Sequence, residues 1–343
     1  DYASMNSRYY LNLLSHFLVE HGIKHDLVIA TPRYYGKIGE VVIADELEYG
    51  IYVSSIDKYY WTMDNYTVPG ESNDRVAGSL AFGHQRPYYT SQLPETQSAH
   101  ESLRIPSTSP NENKSHTTIN ISMNEDNSLN FSNNVTYTGG YKEDYSGLFL
   151  ANTNYFKEEG LALSKESVRK KAAKKGNQES TEQNKERKEI DELKLEGIKN
   201  MVSRDFELEE LESYNLVSKG ITNTEPELSM DYEFTSKGYI KKAGKNLVFE
   251  LGSLISGQVE LTEEEIEERK HDVYYDYARV IQNDITFELP EGYVVKGLKQ
   301  FNTKVEHPHC AFISTAKQEG NKIIVSTSKI YREQTIPESH WSD

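Results

Sequence analysis

The chain has 343 residues, 36% of them hydrophobic, and a formal net charge of −16 from 54 acidic against 38 basic side chains. That length suits two ordinary domains, and the acidic excess excludes the broad basic footprint of a nucleic-acid binder and disfavours docking on anionic lipid. No apolar run approaches the roughly 18 residues of a membrane-spanning helix, and the lone cysteine, Cys310, excludes an intrachain disulfide.

Residues 1–24 predict a helix. Leu11, Leu14, Leu18 and Val19 share one face, Tyr10 and Phe17 flank it, and Gly22 closes it. The opening "DYASMNSRYY" has no Met start and no basic leader region, and reads as the interior of a processed or longer chain. A strand over 25–32 ends at Pro32, and "GEVVIADE", "YGIYVSSID" and "KYYWTMD" add three strand-like runs. Residues 1–82 therefore read as one helix feeding a small antiparallel sheet.

Residues 83–116 are rich in Ser, Pro, Asn, Gln and His, lack any period, and read as a linker. From Thr117 the pattern becomes a β-hairpin: Ile119, Ile121 and Met123, the turn "NEDNS", then Leu129, Phe131, Val135 and Tyr137. Residues 141–204 read as a helical insertion, apolar in "YSGLFLANTNYF" and highly charged beyond it. The basic block of Arg169, Lys170, Lys171, Lys174 and Lys175 has acidic neighbours and no interleaved aromatics. It fits a solvated helix pair broken at Gly176-Asn177 better than a nucleic-acid patch. After Asp205, strands recur at about ten-residue spacing with turn signals, which predicts an antiparallel β-sandwich over 117–343. "LTEEEIEERKHD" within it reads as a charged connection.

Few motifs carry chemistry. His307-Pro308-His309-Cys310 is a compact group of soft ligands, but structural zinc wants four ligands in paired spacings and no second Cys exists. The turn leading into a strand is the favoured reading there, with no metal site and no cofactor. GxSxG, HExxH and phosphate-loop patterns do not occur. Sequons at Asn65, Asn113, Asn120 and Asn134 matter only on a eukaryotic secretory route.

The first 80 residues also carry an order used by cysteine acyl-transfer enzymes: a helix, then a strand for a His, then a strand for an Asp. The stretch "DYASMNSRYYLNLLSHFLVEHGI", followed by "EYGIYV" and "YWTMD", resembles bacterial transglutaminase-like proteins of the papain-like cysteine protease superfamily. Those proteins read roughly G-x-C-x-D-Y-A, then NHV-x-V, then YW-x-D. On this resemblance the nucleophile would lie two residues before Asp1, where a helix dipole lowers a thiol pKa. Asp64 would be the triad acid, with one extra residue in its spacing, and Gly50 stands at the His position, or Tyr49 if the register slips. His16, His21 and His25 lie on or just after the helix, none placed to substitute.

The segment "NDITFELPEGYVVKGLKQFNTKVEHPHCAFISTAKQEGNKIIVSTSKIYR" is similar to a β-sandwich domain of unknown function that flanks such cores in multidomain relatives. The resemblance implies an α+β fold: the C-terminal part of a transglutaminase-like core, then an antiparallel β-sandwich with a helical insertion. It implies export to the periplasm or outer membrane of Gram-negative bacteria. Without an imidazole at position 50 the general base is missing, so Asp64 reads as a relic. The expected function is that of a non-catalytic scaffold or binding subunit with protein partners in an envelope complex. The alternatives are an active cysteine transglutaminase or peptidase with an upstream nucleophile, and a purely structural partner-binding protein using the acidic strands and residues 83–116.

Overall fold

A computed structural model describes residues 7–41, 43, 46–62, 67–85, 101–150, 179–255, 262 and 270–340. Asp64, Asn65, the basic block at 169–175, the break at Gly176-Asn177 and most of the acidic connection near 261–269 lie outside the described residues.

Helix α1 (Ser7–Glu20) ends as its sequence predicts. Gly22 turns left-handed, and the Ile23 and Gly22 amides bond the Leu18 and Val19 carbonyls at 2.8 and 3.0 Å, a Schellman cap. Strands β1 (Asp26–Ala30), β2 (Glu48–Val53), β3 (Lys58–Trp61), β4 (Leu80–Gln85) and β5 (Glu101–Arg104) follow. They form one antiparallel sheet in the order β3-β2-β1-β4-β5. Helix α1 covers one face through Leu11, against Ile51 and Val53. Val28, Ala30, Trp61, Val76, Ala81 and Ile105 fill the other.

Two expectations fail here. The "GEVVIADE" run makes a 3₁₀ turn at Ile38–Glu40, and Ile43 is exposed. The stretch 83–116 is sheet in much of its described part, because β4 runs through Gly83, β5 lies within it and the next strand starts at Lys114. A short edge strand needs only one or two inward apolar residues, here Leu103 with Ile105 just beyond it, so it leaves no period to read.

The rest of the chain forms β6 (Lys114–Met123), β7 (Leu129–Tyr137), α2 (Gly139–Leu150), α3 (Glu179–Asp205), β8 (Glu210–Lys219) and β9 (Leu228–Ser236). Then come β10 (Ile240–Ala243), β11 (Asn246–Phe249), β12 (Val273–Tyr274), β13 (Arg279–Glu288), β14 (Thr303–Glu306), β15 (Cys310–Glu319), β16 (Lys322–Tyr331) and β17 (Thr335–Ile336). Eight strands make one sheet, β14-β15-β16-β13-β6-β7-β9-β8, while β10–β11 and β12–β17 are two-stranded ribbons. The sheet is mixed, not wholly antiparallel: β13 runs parallel to β6, with Ile285 opposite Ile119. The chain leaves β6 for the hairpin, the helices and the five strands β8 to β12 before β13 returns beside it, and a parallel pair requires such a long connection.

One face of this sheet is apolar and buried, with Ile119, Phe131, Val135, Met230, Phe234, Ile285 and Val325 among its residues. Phe149 of α2 and Ile198 and Val202 of α3 pack on it, as do Ile240 and Phe249 of the β10–β11 ribbon. The Phe131 and Phe234 rings stack at 4.4 Å, and Phe249 meets Phe287 at 4.7 Å. The result is an α+β, strand-rich architecture whose large sheet is covered by helices and a second, small β-layer. No helix among the described residues is long and apolar enough to cross a membrane.

The chain knots together at Asn113, which is 1% exposed. Its Nδ2 donates to the Ala278 carbonyl at 3.0 Å and to Thr108 Oγ1 at 3.1 Å, its Oδ1 accepts from the Gly140 amide at 2.8 Å, and its carbonyl accepts from Val280 N at 3.0 Å. The Gly139-Gly140 pair permits this approach, since a Cβ at 139 would collide with Asn113 and one at 140 with the Tyr277 ring. A buried Asn113 is also closed to glycosylation in the folded protein. Replacing Asn113 by Ala strands the Gly140 amide and the Ala278 carbonyl, so a loss of about 2–5 kcal/mol is expected, read as a lowered denaturant midpoint at unchanged slope.

Candidate functional site

The resemblance directs attention to β2 and β3. Alternation along β2 sends Tyr49, Ile51 and Val53 toward α1, with Tyr60 of β3 on the same side. Gly50 belongs to the opposite face, registered against Val28 and Trp61. A Cβ added at Gly50 would lie 2.8 Å from Trp61 Cε3 and 3.1 Å from the Tyr60 carbonyl. Gly50 is thus a seat for the indole, and its lack of a side chain is required by packing. The position facing the helix is Tyr49. The aromatic run "YYW" splits accordingly: Tyr60 packs toward α1, while Tyr59 and Trp61 stack with Tyr52 on the far side, at ring separations of 5.7 Å for Tyr59–Trp61 and 4.5 Å for Tyr52–Tyr59.

The three nearby histidines have other duties. His25 is 3% exposed, its Nε2 2.8 Å from Ser15 Oγ and its Nδ1 3.1 Å from the Ile23 carbonyl, so it ties the end of α1 to the start of β1. His21 bonds the Phe17 carbonyl at 2.8 Å, and exposed His16 faces Glu20 at 3.2 Å on α1. None of them lies on the helix-facing side of β2.

Beside Trp61 is a small polar cleft of about 60 Å³, lined by Glu48, Thr62, Val68, Glu71, Arg75 and Glu143 among others. On that scale it holds a few waters or one inserted group. Glu48 pairs with Arg75 at 2.7 Å, and the Arg75 guanidinium also donates to Tyr34 Oη at 2.7 Å. Glu71 accepts from the Val68 amide at 2.7 Å and from the Lys142 ammonium. Lys142, on α2, is 1% exposed and also donates to the Gly220 carbonyl at 3.0 Å. A buried pair of this kind clamps neighbouring elements, because removing one partner strands the other charge. The Lys142–Glu71 pair joins the small-sheet part to α2 on the large sheet, while Arg75–Glu48 braces the small-sheet part itself, and among the described lining residues these carboxylates are engaged in ion pairs.

Next to it Asp74 is 7% exposed, with Thr108 Oγ1 donating to its Oδ1 at 2.9 Å. Arg33 bonds the Asp74 carbonyl at 3.0 Å and also reaches Gln334 and the Asp276 carbonyl. Burial pushes the Asp74 carboxyl up to about 6, against the hydrogen bonds and the Arg33 charge that lower it.

A second polar group, not expected from the sequence, crosses the solvent-facing side of the large sheet. His116 Nε2 stands 2.6 Å from Asp284 Oδ2, Ser326 Oγ donates to Asp284 Oδ1 at 2.6 Å, and Gln282 Nε2 donates to Oδ2 at 2.9 Å. These are the residue types of a hydrolase triad in the wrong order. The serine gives its proton to the carboxylate, and the imidazole is not the group that would activate it. The three donors outweigh partial burial and hold the Asp284 carboxyl below its ordinary value.

At the other end of that sheet, His307-Pro308-His309-Cys310 forms the turn between β14 and β15, closed by His307 N to the Cys310 carbonyl at 2.8 Å. Cys310 is a half-buried free thiol. The fold also brings His340 to this turn, its ring centroid 5.0 Å from that of His309 and 6.4 Å from that of His307. Thirty residues of separation hid that approach from the sequence.

Two outcomes follow from this geometry. Gly50→Ala forces the Trp61 indole to shift and is expected to cost about 1–3 kcal/mol, visible as a lower melting temperature and altered tryptophan fluorescence. Asp74 binds its proton more tightly folded than unfolded, so its contribution to stability is full below about pH 4 and is lost as pH rises through about 6. Asp74→Asn removes that dependence. Relative to the parent, the variant should gain stability between about pH 4 and pH 7, approaching about 3 kcal/mol, measured by urea unfolding across that range.

Residues 246–343 match a family described as a domain of unknown function with a solved structure (DUF3858). That stretch begins at β11 and includes β13, β14, β15 and β16, one half of the large sheet. No curated protein matches the chain. No solved structure matches it either.

Proposed function

We propose that this chain is a transglutaminase-like protein without catalysis, a binding or scaffolding subunit of a protein complex in the bacterial cell envelope, in the periplasm or at the outer membrane. The observation that carries this reading is the seat at Gly50. The strand that should offer an imidazole to the helix offers Tyr49 and Ile51 instead, and the neighbouring glycine is committed to Trp61. Without a base, a thiol loses general-base assistance, worth about 10²–10⁴-fold. The strongly acidic balance adds support, since it suits protein partners better than nucleic acid. The clefts near β3 hold structural ion pairs, and a framework of this kind serves to present surface.

The test uses the full-length protein with whatever residues precede Asp1. Thiol-dependent amidase or acyl-transfer assays should give rates at the buffer background, and a protein partner should co-purify from envelope fractions with cross-links on the large-sheet unit. Measurable turnover abolished by Cys→Ala upstream would overturn the reading in favour of an active cysteine enzyme. Cross-links confined to the α1 face of the small sheet would count against scaffolding through the larger unit.

A further inference from the structure

We propose that the hollow between the β10–β11 ribbon and the loop 289–301 binds a long-chain carboxylate, with the acyl chain inside and the head group at Lys296. The hollow has a volume of about 390 Å³, within the range of about 300–1,000 Å³ usual for small-molecule sites. Its floor is one end of three adjacent strands of the large sheet, at Met123 of β6, Phe287 of β13 and Ile323 of β16. The ribbon supplies one wall through Leu247 and Phe249, and the loop supplies the other through Val295 and Leu298.

The loop wall is tied down at both ends. At its start the Leu289 amide bonds the Asn321 carbonyl at 2.8 Å. At its end the Gln300 amide bonds the Gly297 carbonyl at 3.0 Å. Just beyond, Asn302 brackets Ala316, accepting its amide at 2.9 Å and donating to its carbonyl at 3.3 Å. A wall in place before the ligand arrives lowers the ordering cost of binding. The mouth stays apolar: Val294 is 83% exposed, Val248 49% and Tyr293 46%. An apolar patch of this kind beside a hollow marks a place where an apolar group docks.

Charge decides which group. Lys296 is the only charged side chain among the described lining residues, and Gln300 offers an amide near it in sequence. The two segments that frame the hollow, 240–249 and 289–301, carry Lys241, Lys242, Lys245, Lys296 and Lys299 against Glu291 alone, in a chain of net charge −16. Lys241 is engaged by Glu250. Lys242 registers opposite Leu247 and so shares the ribbon face that lines the hollow. A positive rim around an apolar hollow attracts an anion with an apolar tail and disfavours a cationic one.

Calorimetric titration of the full chain with hexanoate, octanoate and decanoate, each below its micelle concentration, tests the site. One molecule should bind per chain, with affinity rising about fourfold per added methylene until the hollow is full. Lys296→Glu, at an exposed position, should weaken decanoate at least tenfold while decanol binding changes less than twofold. Val295→Trp fills the hollow and should abolish both. Unchanged circular dichroism verifies that this variant is folded, and the chain-length series tests the site without it. An affinity independent of chain length, or indifferent to Lys296→Glu, would overturn the proposal, as would equal binding of decyltrimethylammonium. Co-sedimentation with phosphatidylglycerol vesicles without decanoate binding would also overturn it and assign the rim to a lipid surface.

Discussion

Everything in this fold hangs on the seam where β6 and β13 lie side by side in parallel. The two strands are about 160 residues apart in the chain, and at the head of the seam one side chain, Asn113, joins three segments. It holds the start of β6, the turn into α2 at Gly140 and the approach to β13 at Ala278. A buried amide with all its polar atoms engaged is directional in a way that apolar packing is not. It fixes where the helix leaves and where the returning strand must dock. The small sheet is attached at the same point, through Thr108, Asp74 and Arg33.

This junction also engages most of the charged groups near the small sheet. Charged groups that might do chemistry are engaged in and beside the junction: Lys142 with Glu71 and Arg33 with the Asp276 carbonyl across it, Arg75 with Glu48 and Arg33 with the Asp74 carbonyl on its small-sheet side. Along β2 and β3 the register places an aromatic pair, Tyr49 and Tyr60, against α1 and buries Trp61 on the other side. The polar cluster around Asp284 shows the same logic on the large sheet, where residue types familiar from catalysis are wired for stability.

Much of the fold was readable before any coordinates. The apolar spacing of Leu11, Leu14 and Leu18 and the glycine after them set α1 and its cap. Alternation at Ile119, Ile121, Phe131 and Val135 set the β6–β7 hairpin, and Ile285 and Phe287 marked β13. Two of the misreadings have separate physical causes. Strands β4 and β5 lie where a polar segment contributes few inward side chains, and the parallel pairing depends on a partner far away in sequence. At the candidate site the letters were legible but the faces were not. Shifting by one residue moves a strand side chain to the opposite side of the sheet, so a motif match could name position 50 without revealing that 49 is the one that meets the helix.

The sequence by itself determined the coarse class of the protein: strand-rich α+β with a helical insertion, acidic, with a single cysteine in the chain, and with no imidazole in the run Glu48 to Val53. Those properties follow from local periodicity and from residue types, which any segment carries alone. Only the tertiary structure decided that Gly50 is a seat for Trp61, that Asn113 is a buried knot, and that His340 stands beside His307 and His309. Each of those depends on which distant backbone arrives at a given point, and that is set by packing and register between segments that share no local signal.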